Sequence, residues 1–180
     1  MPQTQSPTLP IETSPTDAPT TDEAPSEPTE SESSPAVLAS EAAGQPLTLS
    51  KIFKYPDTWR DGRYDIADRK QVPGVGGLIL GCGDLDPAIL ELRLANNFSK
   101  LKLEFGQSNS SESSDQTLAV RIDANGQYRD QKSVKLNQIA AFEIPVQKVN
   151  ALKISVYLKE TPDCGGFGSA EAVLTNMVLS

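Results

Sequence analysis

The sequence predicts an all-β fold, a β-sandwich behind a disordered N-terminal tail. Three observations predict it. Apolar and polar residues alternate in short runs through the last two-thirds of the chain, which is the two-residue period of half-buried strands. The breaks between runs carry turn residues. No window of eleven or more residues shows a helical period.

Residues 1–45 repeat Pro, Thr, Ser and Glu with almost no large apolar side chain, and they carry eight acids and no Lys or Arg. Prolines from Pro2 to Pro35 remove backbone donors and break helices. Such a segment buries too little apolar surface to offset roughly 1–2 kcal/mol of backbone ordering entropy per residue. The expectation is an extended, acidic Pro/Thr/Ser-rich linker over 1–45, serving as a stalk or as a variable spacer. Its first residues, Met-Pro-Gln-Thr, lack the basic and apolar regions of a secretory signal. An upstream signal or anchor stays open.

The domain is expected over 46–180. Its runs begin at Leu47, Leu49 and Ile52-Phe53. Gly77-Leu78-Ile79-Leu80 follows, then Leu90/Leu92/Leu94, Leu101/Leu103/Phe105 and Leu118/Val120/Ile122. The last three are Phe142/Ile144/Val146, Leu152/Ile154/Val156/Leu158 and Val173/Thr175/Met177/Leu179. Asn125-Gly126 is a hairpin signal, because both central positions of a type I′ turn need positive φ. Pro145 inside a run marks an edge strand or a bulge. Residues 107–116 read as a long Ser-rich loop. About eight short strands with few helices argue for two stacked sheets.

Charge narrows the partners. All 16 Lys and Arg fall in 46–180 with the remaining 16 of the 24 acids, so the domain is formally neutral and the net −8 sits in the tail. A neutral domain without a basic cluster does not attract phosphate backbones, so no nucleic acid is expected. No stretch approaches the roughly 20 apolar residues that span a bilayer, so no direct membrane insertion is expected.

The chemistry available is limited. There is no His, hence no Ser-His-Asp or Cys-His arrangement. Asp84, Asp86, Asp123 and Asp163 lie in or near turns, where such side chains usually bond local backbone. A Ca²⁺ held by turn carboxylates and carbonyls is allowed, although no calcium loop is recognisable; no other cofactor and no metal is expected. The glycines at 74, 76 and 77 do not form a phosphate loop, since no Gly-Lys-Ser/Thr follows, and read as a turn feeding a buried strand.

Cys82 and Cys164 both sit in Gly/Asp-rich turns. A disulfide between them would close a long loop, worth roughly 4–5 kcal/mol in the chain-entropy model, and would imply an oxidising compartment. The alternative is two free thiols. Trp59 with Tyr64 and Arg63 forms an aromatic and polar segment suited to stacking on sugar C–H faces while fixing hydroxyls; equally, Trp59 could pack the sandwich. Tyr128, after the Asn125-Gly126 turn, carries the same two readings.

Residues 78–180 resemble the NPCBM/NEW2-type carbohydrate-binding domain. The resemblance runs through the Cys82-Gly83 turn, the Leu90–Leu94 run and the phrase Asn97-Phe98-Ser99-Lys100-Leu101-Lys102-Leu103-Glu104-Phe105-Gly106. It continues through Val120-Arg121-Ile122-Asp123-Ala124-Asn125-Gly126, Val149-Asn150-Ala151-Leu152-Lys153-Ile154-Ser155-Val156 and the closing 172–179. Leu174 and Asn176 stand where the family usually has Trp and Asp, and residues 46–77 match only loosely. The resemblance implies a jelly-roll, galactose-binding-like β-sandwich. It also implies a non-catalytic module for a glycan or cell-envelope polysaccharide, displayed on the stalk as part of a larger protein. Ligand-binding candidates are Trp59, Tyr64, Arg121, Asp123, Asn125 and Tyr128, with no catalytic residue. The setting would be extracytoplasmic (periplasmic, secreted or cell-surface) if the disulfide forms. The alternative is a protein-interaction or sensor domain with no sugar site, attached to an anchor or a signalling enzyme.

Overall fold

The computed structural model describes residues 37–80, 86–112, 115–159 and 169–180. Cys82, Cys164, Asp84, Asp163 and the tail up to residue 36 lie outside the described residues. Within them the fold is two stacked antiparallel sheets. The strands are β1 (Arg60–Ile66), β2 (Arg69–Leu80), β3 (Ala88–Arg93), β4 (Lys100–Gln107), β5 (Leu118–Ala124), β6 (Gln127–Val134), β7 (Ile139–Pro145), β8 (Ala151–Leu158) and β9 (Ser169–Leu179). One sheet runs β1-β2-β9-β4-β7 and the other β3-β8-β5-β6. Non-consecutive neighbours in both sheets mean that the chain crosses repeatedly between layers, as in a jelly roll.

The core follows from the alternation. Leu90, Leu92, Leu118, Val120, Ile122, Leu152, Ile154, Val156 and Leu158 face inward from one sheet and are buried. Leu101, Leu103, Phe105, Ala172, Leu174 and Leu179 are buried in the other sheet, and all of these join one apolar cluster. Pro145 ends β7, an edge strand, where a missing N–H breaks no ladder. Asn125 and Gly126 both adopt positive φ, 49° and 76°, and join β5 to β6 as a two-residue hairpin.

Three expectations are corrected. The glycine stretch is not a turn. It lies inside β2, and its small residues make room for rings. The ring of Tyr64 covers Gly76 on one face of the sheet, and the indole of Trp59 covers Gly77 on the other. The run starting at Leu47 is not a strand. Leu49–Lys51 forms a 3₁₀ turn whose first amide, Leu49 N–H, donates to the Asp61 carboxylate at 3.0 Å. Finally, residues 37–45 are not linker. Leu38 N–H donates to the Arg93 carbonyl at 2.8 Å, Gly44 N–H to Leu179 and Leu47 N–H to Met177. Leu38, Leu47, Leu49 and Ile52 are buried in the core cluster. This strap touches both sheets and closes the apolar end that their alternation leaves open.

Candidate functional site

The candidate site is the outer face of the β3-β8-β5-β6 sheet. Its composition follows from register. Glu91, Lys153, Asp123 and Tyr128 are successive Cα partners across the four strands. Ile89, Ser155, Arg121 and Gln131 form the adjacent row. Because Leu90, Ile154 and Ile122 point into the core, both rows point outward. A bulge adjusts the second strand pair. Ile122 faces Asp130 but Asp123 faces Tyr128, so Arg129 is the extra residue and Tyr128 is carried back beside Asp123.

The centre of this face is a fork-on-carboxylate pair. Arg121 Nε donates to both Asp123 oxygens at 3.1 and 3.0 Å, and Nη2 donates to Oδ1 at 2.8 Å. The hydrogen bond and the charge of Asp123 raise the Arg121 guanidinium further above its already high value. Bidentate pairs of this kind fix geometry as well as charge. The guanidinium also lies 5.4 Å from the centroid of the Tyr128 ring, within cation–π range. Tyr128 is 55 % exposed, so its ring is open to solvent. Arg121, Asp123, Gly126, Lys153, Ser155 and Tyr157 line a hollow of ≈ 300 Å³. At the far edge of the sheet Arg93 pairs with Glu91 at 3.4 Å and stacks over Phe53 of the strap.

The six sequence candidates do not converge on one place. Arg121, Asp123 and Tyr128 come together as described. Asn125 sits beside them but its side chain is spent on structure. Its Nδ2 donates to the Lys148 carbonyl, and its Oδ1 accepts from the amides of Asn150 and Ala151. Tyr64 lies on the opposite sheet, where its hydroxyl donates to the Arg60 carbonyl at 2.9 Å. Burial, then the Glu171 charge, raises its phenol above the usual value. For Trp59 the structure takes the packing reading over the ligand one. It is 1 % exposed and belongs to the core, so its ring cannot stack on a ligand.

Lys153, Ser155 and Tyr157 were not among the sequence candidates. Their signal was present as the polar phase of β8, but their place beside Arg121 depends on sheet order. Tyr64 borders a second hollow of ≈ 540 Å³ with Arg63, Asp65, Lys70, Ser110 and Glu171. Its polar groups pair with one another: Lys70 with Asp65, Ser110 with Glu171, and Arg63 with the Gln71 carbonyl.

Chemically, the first hollow offers fixed donors and one engaged carboxylate, with the open Tyr128 ring beside Arg121. Asp123 and Glu91 are two strands apart, about 10 Å by strand spacing, and each is held by an arginine. That is not the free, facing pair of a glycosidase. Among the described residues no group of three or more His, Cys, Asp or Glu side chains could hold a metal ion. No helix among them is long and apolar enough to cross a membrane.

No family model matches the chain, and no curated protein matches it. Solved structures do. CBM51 from Clostridium perfringens GH95, in complex with methyl-galactose, is similar over 67 % of this chain and 81 % of that one, at 9 % identity and a TM-score of 0.49. CBM51-2 with the INT domains of Clostridium perfringens ZmpB, in complex with GlcNAc, is similar over 75 % of this chain and 32 % of that one, at 9 % identity and a TM-score of 0.47. CBM28, a non-crystalline cellulose-specific carbohydrate-binding module, is similar over 68 % and 87 %, at 7 % identity and a TM-score of 0.42. At these identities no residue of the site is carried from one protein to another.

Proposed function

We propose that this chain is a non-catalytic carbohydrate-binding module of the NPCBM/NEW2 kind, and that it holds its glycan on the outer face of β8, β5 and β6. One observation carries the reading. The Arg121–Asp123 fork and the Lys153 and Ser155 polar groups line one hollow, and the exposed Tyr128 ring lies 5.4 Å from the Arg121 guanidinium. A pyranose asks for that combination: a ring for its C–H face, and immobile donors and acceptors for its hydroxyls. Display on the acidic Pro/Thr/Ser-rich segment and a place at the cell envelope belong to the same reading and rest on composition.

A glycan-array screen of the full chain tests it, repeated with Arg121→Ala and Tyr128→Ala. The expected result is binding to a defined set of glycans that both substitutions reduce by about tenfold or more, the loss of a charged hydrogen bond or a stacked ring. Binding unchanged in both variants would remove this face from the site.

A second reading, a protein-interaction module, is favoured by the opposite sheet. Leu78 and Leu80 are 45 % and 66 % exposed at the end of β2, and Trp59 is sealed in the core. A chain that binds no glycan on the array, and whose protein partner is lost with Leu78→Ser/Leu80→Ser, would support that reading instead.

A further inference from the structure

We infer that the glycan taken by this hollow is acidic, a sugar unit bearing a carboxylate or a sulfate that pairs with the Lys153 ammonium. This rests on the carbohydrate-binding reading and adds its ligand class. The argument is a charge census of the outward rows of the sheet. Among the described residues, five charged side chains are paired in these rows, Glu91, Arg93, Arg121, Asp123 and Lys153, while Arg129 at the bulge has no register partner. Both acids are taken. Asp123 accepts from Arg121 on each of its oxygens, and Glu91 is bridged by Arg93. Lys153 stands between the two acids in register, yet no carboxylate of the described residues lies within ion-pair distance of its ammonium. Among the described residues paired in these rows, Lys153 is therefore the one charge left without a counter-charge, and it lines the hollow.

Desolvation then selects the ligand. A neutral sugar seated in the hollow would strip water from Lys153 and return at most hydroxyl oxygens. A desolvated charge without a counter-ion is costly. An anionic sugar supplies the counter-charge and a charge-assisted hydrogen bond in the same step. The free Nη1 of Arg121 and the Ser155 hydroxyl stand in the row beside Lys153 and can orient the anion. A concave cationic site also concentrates anions before contact.

The test uses matched pairs that differ only in charge, titrated calorimetrically into the full chain. The carboxylate arm is trigalacturonate against its methyl ester. The sulfate arm is a sulfated galactan oligosaccharide against its desulfated form. In at least one arm the charged member should bind about tenfold tighter in low salt, and the preference should shrink several-fold at 0.5 M salt as screening sets in. Lys153→Gln should abolish the preference and Lys153→Arg should keep it; the position is exposed, and an unchanged melting temperature certifies the fold of both variants. Neutral members binding as well as charged ones would overturn the charge assignment and leave the glycan reading standing. A preference that survives Lys153→Gln would overturn the role of Lys153. Binding of no sugar in either arm or on the array would overturn both readings together.

Discussion

The indole of Trp59 lies directly over Gly77. A Cβ on Gly77 would sit 2.5 Å from the ring's Cδ1, closer than any relaxed contact. The glycine is therefore a space requirement of the core, because no rotamer change clears a ring packed in the cluster.

Gly77→Ala should destabilise the domain by about 1–3 kcal/mol, the range for overpacking a filled interior. Urea unfolding measures it. The double variant with Trp59→Leu should recover part of the loss, since the added methyl then has room. Equal stabilities of Gly77→Ala and the unaltered chain would contradict the packing described.

Asn125 has two structural duties, a left-handed φ of 49° and three side-chain hydrogen bonds to the 148–151 segment. Asn125→Gly keeps the first and loses the second, while Asn125→Ala loses both. The expected order of stability is Asn, then Gly, then Ala, with Ala down by about 2 kcal/mol from lost bonds and backbone strain together. Glycine equal to asparagine in thermal unfolding would show that the bonds contribute nothing.

Asp65 gives a pH signature. Its carboxylate accepts from the Gln71 amide at 2.9 Å and pairs with Lys70 at 3.1 Å, and Gln71 itself is at positive φ. The Gln71 bond first, then Lys70, hold its carboxyl below the ordinary value of 3.8. A group lowered on folding stabilises above its unfolded pKa and loses that contribution as pH falls through the folded one. The melting-temperature gap between the unaltered chain and Asp65→Asn should therefore be full near pH 6 and narrow below about pH 4. A gap that is constant from pH 7 to 3 would contradict this.

Cys82 and Cys164 lie outside the described residues, and a disulfide between them rests on their Gly/Asp-rich sequence turns. The proposal of a disulfide predicts one cross-linked peptide in non-reducing proteolytic mapping of protein from an oxidising compartment. Two alkylated thiols under the same conditions would argue for the free form and remove the support for an extracytoplasmic setting.

How legible the fold was depended on where each strand lies. β4, β5, β8 and β9 announce themselves because one or both faces are buried. β1 and β6 are edge strands whose exposure patterns are mostly solvent-facing, so nothing in Arg60–Ile66 enforces alternation and the segment reads only as aromatic and polar. The strap over 37–53 reads as linker up to residue 45 and as the start of a strand run from Leu47, for a different reason. Its few apolar residues cap the sandwich end from irregular backbone, which has no period to detect. For the site, Arg121, Asp123 and Tyr128 were readable together because one hairpin holds them within eight residues. Lys153 and Ser155 join them only through the order β3-β8-β5-β6, a long-range fact that alternation does not encode. Trp59 and Tyr64 share a segment but face opposite sides of a sheet, so closeness in sequence suggested a convergence that the pleat prevents.

The most direct test of the glycan-binding face is amide chemical-shift mapping of the full chain, titrated with a sugar selected on the array. The account predicts shifts centred on Arg121, Asp123, Tyr128, Lys153 and Ser155, with Tyr64 and Leu78 silent. Shifts centred on Tyr64, Leu78 or the other sheet would contradict it.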